Sequence, residues 1–316
     1  MLRVIASRVA GAVPILILVS LITFAMIHMV PGGPAAAIAG LSATPQQIAE
    51  INHNLGLDRP LSVQFYRWYA DLLHGNLGTS LLLGQPVMQA ILIRLPVTFG
   101  LSAYAMLITL AIGLGSGILA ALRQNTWVDQ AAMVFSIIGI SLPNFYLALL
   151  LIILFAVDLG WLPSGGYIPF FADPLGWLGA MTLPAISLAL LLTGLLARIT
   201  RSTMLEVLRQ DYIRTARAKG LSARRIVIRH ALANAMIPIV TVIGIIVSLL
   251  MSGAVVTETI FSLPGIGQLL TEAVLNRDYP MVQGGVLVVA ALMVGVNILV
   301  DVAYAALDPR VRYDAG

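Results

Sequence analysis

Long apolar stretches of about twenty residues recur along this chain, and the shorter segments between them contain most of its charged residues. Crossing roughly 30 Å of hydrocarbon takes about 20 helical residues. Stretches of this kind lie at 9–30, 97–122, 130–157, 177–199, 238–257 and 283–306. The apolar residues run continuously instead of alternating with polar ones, which favours helices over a membrane β-barrel. We therefore expect an all-α integral membrane protein with about six transmembrane helices.

The composition supports the same prediction. Of the 316 residues, 59% are hydrophobic and only 10% are charged, whereas soluble domains contain roughly 25% charged residues. Too few charges remain to cover a soluble surface. The first apolar stretch is longer than the apolar core of a signal peptide, so we expect 1–30 to stay as an N-terminal transmembrane helix.

Basic residues indicate the orientation, because Lys and Arg are retained on the cytoplasmic side of a membrane. The segment 200–236 is rich in basic residues, whereas 158–176 contains none, so we place the first in the cytoplasm and the second outside. The basic residues are Arg201, Arg209, Arg214, Arg217, Lys219, Arg224, Arg225 and Arg229. Six spans then place both termini in the cytoplasm. The expected domains are the N-terminal helix, an extracytoplasmic segment at 31–96, a transmembrane domain at 97–306 and a cytoplasmic tail at 307–316.

The extracytoplasmic segment contains helix signals of its own. Thr44, Pro45 and Gln47 form the pattern of a capped helix start, and a second start is predicted at Ser62. The second helix has an apolar and aromatic stripe formed by Phe65, Trp68, Tyr69 and Leu72. We expect this stripe to pack on the membrane domain or at the membrane interface; a docking surface for an external partner is the alternative.

The basic segment contains a predicted break between two short helices. A helix that ends at Lys219 must be followed by a residue that can adopt a positive φ, and Gly220 can do so without steric cost. Ser222 is a candidate N-cap for the following helix, and Leu221 and Ile226 are spaced for a hydrophobic staple. A rigid basic break suits docking to an acidic rim on a partner. A loop that is basic only to fix the topology is the alternative.

Several kinds of chemistry are excluded or poorly supported by the sequence. Cysteine is absent, and the four histidines show no metal-ligand spacing, so no metal site is predicted. The only lysine, Lys219, does not stand in the Gly-x4-Gly-Lys-Ser/Thr pattern that binds phosphates. If ATP drives this protein, the ATP site must lie in another subunit. No set of nucleophile, base and orienting group supports an enzyme.

Some polar residues in or near the apolar stretches are candidates for facing a translocation path. They are Asn144, Glu258, Asn297 and Asp301. Asp301 is a carboxylate within a predicted span, where ionisable groups often mark pathways; pairing with a basic residue such as Arg201 is the alternative. Packing and capping explain the other three equally well. Gly113, Gly115 and Gly117 are expected to permit close helix packing.

The stretch 211–225 resembles the cytoplasmic motif of binding-protein-dependent ATP-binding-cassette (ABC) importer permeases. In that motif, Glu-Ala-Ala is followed by three residues of any type and then by Gly. The stretch is close to the version in the dipeptide, oligopeptide and nickel permeases, which this sequence also resembles in other stretches. These are NLGLDRP at 54–60, GNLGTS at 75–80, SLPNF at 141–145, ETIFSLPGIG at 258–267, NRDYP at 276–280 and LDPRVR at 307–312. Arg214 stands where other importers have Glu, and Ala233 where many have Pro, which places the chain in the peptide and nickel branch.

The resemblance implies a permease subunit of the bacterial inner membrane that translocates di- or oligopeptides or related small solutes. It implies a coupling helix that seats in a groove of a cytoplasmic ATPase. The coupling residues would be Asp211, Tyr212, Arg214, Thr215, Ala216, Arg217 and Gly220. The expected partners are a second, related permease, two ATPase subunits that hold ATP and Mg, an extracytoplasmic solute-binding protein and membrane lipid, with no nucleic acid and no cofactor bound by this chain. The alternatives are a nickel-chelate permease, an ion-coupled secondary transporter or channel, and a nonenzymatic membrane scaffold.

Overall fold

The structure, a computed structural model, describes residues 2–29, 33–39, 43–54 and 56–307. These residues form α-helices and two π-helical stretches, and no β-sheet forms among them, which confirms the predicted all-α class. The α-helices are α1 (Leu2–His28), α2 (Pro34–Ala39), α3 (Pro45–Asn54), α4 (Leu61–Leu73), α5 (Val87–Leu122), α6 (Trp127–Ser141), α7 (Asn144–Leu151), α8 (Pro174–Leu208), α9 (Asp211–Ala218), α10 (Ala223–Arg225), α11 (Ala233–Ile260), α12 (Ile266–Leu275) and α13 (Tyr279–Leu307). The tail predicted at 307–316 lies, apart from Leu307, outside the described residues.

Within the described ranges, five helices are long and apolar enough to cross a membrane. They are Arg8–His28, Val87–Leu122, Pro174–Leu208, Ala223–Ile260 and Tyr279–Val302. A bent pair, Trp127–Ser141 with Asn144–Asp158, brings the number to six if it is counted as one span. The prediction of about six transmembrane helices is confirmed.

The prediction of one continuous helix at 130–157 is wrong. The chain bends by 105° between α6 and α7, and Leu142 has extended backbone angles (φ −87°, ψ 127°). Pro143 causes this break, because proline has no N–H to donate and its ring disfavours a helical residue before it. From Ile152 to Asp158 the second half continues as a π-helix.

The crossing helices also extend beyond the predicted apolar stretches. α5 begins at Val87 instead of near residue 97, and α8 continues to Leu208 instead of ending near residue 199. The stretch predicted at 238–257 lies within one helix, Ala223–Ile260, of which Ile226–Leu232 is π-helical. Hydropathy detects the part of a helix that faces lipid, whereas the backbone hydrogen bonds continue through its polar ends. α2 and α12 are two further helices that the sequence did not predict.

The described chain divides into two compact units. The first unit comprises Met1–Ile5, Val97–Pro264 and Val296–Gly316, and the second comprises Ala6–Pro96 and Gly265–Gly295. In the first unit, α8 is the central helix and packs against α6, α7 and α11. Its side chains Leu188, Leu192 and Leu196 are buried in the apolar core.

Glycines allow two close approaches to α8 in the first unit. A Cβ at Gly117 would lie 2.6 Å from both the Ala197 carbonyl oxygen and the Thr200 Cβ. A Cβ at Gly113 would lie 3.0 Å from the Leu196 side chain, so the predicted packing role of these two glycines is confirmed. It is wrong for Gly115, which is exposed and has nothing within 4 Å of its Cβ position.

Gly117→Val is expected to destabilise the first unit by about 1–3 kcal/mol, because the added side chain overpacks against the α8 backbone. The measurement is the melting temperature of the purified protein in detergent, followed by size-exclusion chromatography. Gly115→Val is the matched control, since it makes the same change on the open side of the same helix. Equal melting of the two variants would contradict the packing role.

In the second unit, α4 packs on α1 through aromatic side chains. The Phe24 ring lies 5.3 Å from the Phe65 ring and 5.6 Å from the Trp68 ring, measured between centroids. The hydroxyls of Ser20 and Tyr69 form a 2.6 Å hydrogen bond. The stripe of α4 therefore packs on a membrane helix, as predicted.

Two helix starts in the second unit can be compared with the sequence. The Thr44 N–H donates to Gln47 Oε1 at 2.9 Å, and the Gln47 N–H donates to Thr44 Oγ1 at 3.3 Å, so the predicted capping box is confirmed. α4 begins at Leu61 after Pro60, not at Ser62. The backbone angles of Pro60 already suit a residue that precedes a helix, so no side-chain cap is used there.

A buried carboxylate joins two segments of the second unit. Asp278 is 1% exposed and stands immediately before α13. Its carboxylate accepts hydrogen bonds from the Ser80 hydroxyl at 2.5 Å, the Leu82 N–H at 3.1 Å and the Met281 N–H at 3.2 Å. The segment 80–82 is thus held against the start of α13.

Candidate functional site

The basic segment turns sharply at Gly220. α9 ends at Ala218, Lys219 stands at its C-cap position, and Gly220 follows with φ +76°. The Leu221 N–H donates to the Ala216 carbonyl at 3.3 Å, and the Gly220 N–H donates to the Arg217 carbonyl at 2.9 Å. This pair of bonds is a Schellman motif, which needs a residue that tolerates positive φ at the position of Gly220. The predicted break is confirmed.

One face of α9 anchors it, and the other face is exposed. Ile213 and Ala216 are buried in the core of the first unit. The exposed residues of α9 are Asp211, Tyr212, Arg214, Thr215, Arg217 and Ala218, and the C-cap residue Lys219 is exposed as well. The Arg214 and Asp211 side chains approach to 3.5 Å but are 77% and 94% exposed, so this pair contributes little stability. Of the candidate coupling residues, Ala216 is therefore placed to position the helix, whereas the exposed ones are placed to contact another molecule.

The break leads directly into a crossing helix. Ser222 stands at the N-cap position of α10, but its side chain makes no capping hydrogen bond, so that prediction is wrong. The Ser222 carbonyl accepts from the Ile226 N–H at 3.0 Å, which is enough to begin the helix without the hydroxyl. Ile226 is buried and Leu221 half-buried, as the two residues of a hydrophobic staple would be. One short connection, residues 219–222, therefore joins α9 to the helix Ala223–Ile260.

An ion pair near this segment links α6 and α8. Arg201 donates two hydrogen bonds to the Asp129 carboxylate, at 2.5 and 2.6 Å, and the Asn125 N–H donates a third at 3.0 Å. The Asp129 side chain is only 4% exposed. Arg201, which the sequence suggested as a partner of Asp301, is thus engaged by Asp129. The sequence signal that we missed is an aspartate in the first turn of an otherwise apolar helix.

The candidate path residues fall into separate places in the first unit. Asn144 Nδ2 donates to Thr257 Oγ1 at 3.1 Å, and next to Thr257 the buried Glu258 accepts from Thr98 Oγ1 at 2.6 Å. Asn144 Oδ1 is buried and makes no hydrogen bond within the described structure. The structure thus brings Asn144 close to the chain segment of Glu258.

The other two candidates lie on α13. Asn297 Oδ1 accepts from the Ser248 hydroxyl at 2.5 Å, whereas Asp301 is half-buried further along the helix. No group of three or more metal-ligating His, Cys, Asp or Glu side chains occurs in the described part of the chain. The role of all four residues in a translocation path stays a prediction.

Apolar helices long enough to cross a membrane, with polar side chains between them, define a multi-pass membrane protein. Comparison with known families gives the same class. The family described as "Binding-protein-dependent transport system inner membrane component" matches residues 113–313, and its N-terminal component matches residues 1–102. The chain belongs to this family of multi-pass inner-membrane permeases.

Individual relatives match along nearly the whole chain. A protein from Brucella abortus (strain 2308), named as a peptide transport system permease, is 50% identical over 314 residues, covering 99% of this chain and 100% of the relative. The di/tripeptide transport system permease protein DppB of Pseudomonas aeruginosa (strain UCBPP-PA14) is 44% identical over 334 residues, covering 99% of both chains.

A solved structure shares the fold. A chain of the MetNI methionine ABC transporter, in inward-facing conformations, superposes with a TM-score of 0.55 at 17% identity. The superposition covers 70% of this chain and 97% of the MetNI chain. At this identity the similarity shows the fold alone.

Proposed function

We propose that this chain is the membrane-spanning permease subunit of an ABC importer that translocates peptides. The observation that supports this most directly is the Schellman turn at Gly220, which rigidly joins an anchored, exposed basic helix to a crossing helix. Family membership along the chain supports the permease role, and the names of the full-length relatives support peptides as the solute.

The exposed face of α9 is the coupling surface in this proposal. Tyr212, Arg214, Thr215 and Arg217 contact a groove of the ATPase, while Ile213 and Ala216 fix the helix to the permease core. Closure of the ATPases on binding ATP and Mg moves α9. Because the turn is rigid and short, the movement reaches the helix Ala223–Ile260 without being absorbed by a flexible linker.

The assembly that follows from this proposal has two ATPase subunits, this permease, a second related permease and an extracytoplasmic binding protein that delivers the peptide. Both termini of this chain face the cytoplasm, on the side of the basic segment. The path for the peptide runs past Asn144, Glu258, Asn297 and Asp301, whose polar groups offer hydrogen-bond partners inside an apolar bundle.

The test is the ATPase activity of the purified complex in lipid nanodiscs, with its ATPase and binding-protein subunits, in the presence and absence of a peptide library. We expect stimulation that requires both the binding protein and peptide. Stimulation by a nickel chelate but not by peptide would keep the importer and overturn the peptide assignment. Solute uptake that persists without the ATPases and collapses with the ion gradient would overturn the importer.

A further inference from the structure

A cavity in the second unit is bordered by the end of α1, the turn before α4, one face of α4 and the start of α13. Its volume is about 350 Å³, which is within the range of small-molecule sites. α4 contributes Gln64, Arg67, Trp68 and Asp71 to the lining, and their spacing of three and four residues places them on one helix face. In the proposed orientation, this part of the chain lies outside the membrane, on the side from which the binding protein delivers the solute.

One wall of the cavity is held by a glutamine. Gln64 Nε2 donates to the Leu57 carbonyl at 3.1 Å and to the Arg59 carbonyl at 2.7 Å. Its Oε1 is therefore the atom that accepts a hydrogen bond from His28 Nε2, at 3.0 Å. These bonds join the turn that carries Arg59 to both α1 and α4, so this wall is ordered without a ligand.

A second glutamine in the lining has polar groups without partners. Gln283 is only 9% exposed and lines the cavity. Its Nε2 donates to the Thr23 carbonyl at 3.0 Å, whereas its Oε1 and its other N–H make no hydrogen bond to any described residue. Polar side chains as buried as this one usually have partners. A free acceptor beside a free donor is the complement of one peptide group.

Charged side chains of both signs border the same cavity. Arg59 and Arg67 supply two guanidiniums, and Asp71 is the only carboxylate among the described lining residues. None of the three forms an ion pair in the described part of the chain. Arg67 and Asp71 lie four residues apart, a rise of about 6 Å along the helix. The amine and the carboxylate of an extended dipeptide are separated by a similar distance, roughly 6 to 7 Å.

We propose that this cavity binds a short peptide with free ends. The two guanidiniums bind its carboxylate, Asp71 binds its amine, and Gln283 pairs with its peptide group. The aromatic part of the lining accommodates an apolar side chain and consists of Phe24, Trp68 and Tyr279. The choice of a peptide among zwitterions that contain an amide rests on the proposed function. The site belongs to the second unit, whereas the residues proposed for the path belong to the first, so it is an additional peptide site.

The test is the binding of dipeptides to the full chain in lipid nanodiscs, without the binding protein or the ATPases, titrated by saturation-transfer difference NMR. The probes are alanylphenylalanine, its C-terminal amide and its N-acetyl derivative. We expect each blocked probe to bind about fivefold more weakly than the free dipeptide. The expected factor is modest because the charges that recognise the two ends are exposed and screened by solvent.

Two variants separate the contacts to the two ends. Arg67→Gln should reduce the preference for a free carboxylate and keep the preference for a free amine, and Asp71→Asn should do the reverse. Glu50→Gln removes an exposed carboxylate that does not line the cavity, so it should bind all three probes as the wild type does. A wild type that binds no dipeptide, or two lining variants that keep both preferences, would overturn the site.

The failure of this site can be distinguished from the failure of the proposed function. If peptide stimulates the ATPase activity of the complete complex but this chain binds no dipeptide, the site is overturned and the peptide importer stands. If the chain binds dipeptides with the expected preferences but the complex does not respond to peptide, the site stands and the proposed function is overturned.

Discussion

Gly220→Val is expected to uncouple ATP hydrolysis from transport while leaving the protein inserted in the membrane. Gly220 has φ +76°, and nothing lies within 4 Å of its Cβ position, so the cost of valine comes from backbone strain and not from a clash. Such strain amounts to about 1–3 kcal/mol, and a change of about 1.4 kcal/mol is tenfold in an equilibrium. We expect solute transported per ATP hydrolysed to fall by about tenfold, measured in proteoliposomes that contain the assembled complex.

The matched control is Gly220→Asn, because asparagine adopts positive φ more readily than other residues with a Cβ. This variant should keep coupling close to that of the wild type. Both variants should insert and assemble equally, which co-purification of the ATPase subunits measures. Normal coupling in Gly220→Val would show that the turn does not transmit the movement and would remove the main support for the proposed mechanism.

Asp129→Asn is expected to lower the stability of the first unit by about 3–5 kcal/mol, because it leaves the Arg201 guanidinium partly buried without its counter-charge. The Asp129 carboxylate also accepts the Asn125 N–H, so the turn between α5 and α6 should loosen as well. Thermal unfolding of the purified protein in detergent measures the effect. The double variant Asp129→Asn with Arg201→Gln should recover part of the loss, since no unpaired charge remains.

Glu206→Gln is the control for this pair. It removes one acidic charge from the same helix as Arg201, but at an exposed position. We expect it to change the melting temperature little. If Asp129→Asn and Glu206→Gln melt alike, the buried pair does not hold α6 against α8.

The sequence predicted those parts of the fold that depend on local physics. The crossing helices follow from apolar stretches that match the thickness of a bilayer, and the break follows from the backbone freedom of Gly220. The capping box at Thr44 and Gln47 is likewise a local exchange of hydrogen bonds. Each of these features is decided within a few residues, so no knowledge of tertiary contacts was needed.

The break at Pro143 and the pairing of Asp129 with Arg201 depend on the rest of the chain. Pro143 was visible in the sequence, but proline also lies within α5, α8 and α11 without ending them, so its effect could not be predicted from residue type. The sequence named Arg201 only as a possible partner of Asp301 and did not single out Asp129, because only the packing of α6 on α8 brings the Asp129 carboxylate to Arg201. For the candidate site, the position of the turn was predictable, whereas the buried face of α9 was not.

Lys219, the C-cap residue of α9, is the only lysine in the chain, and cysteine is absent. A reagent that acylates primary amines therefore finds its only side-chain target at the turn, on an exposed residue, without any engineered substitution. The extent of labelling at this position, read as one mass increment on one peptide, provides a chemical footprint of whatever covers the turn in the native protein.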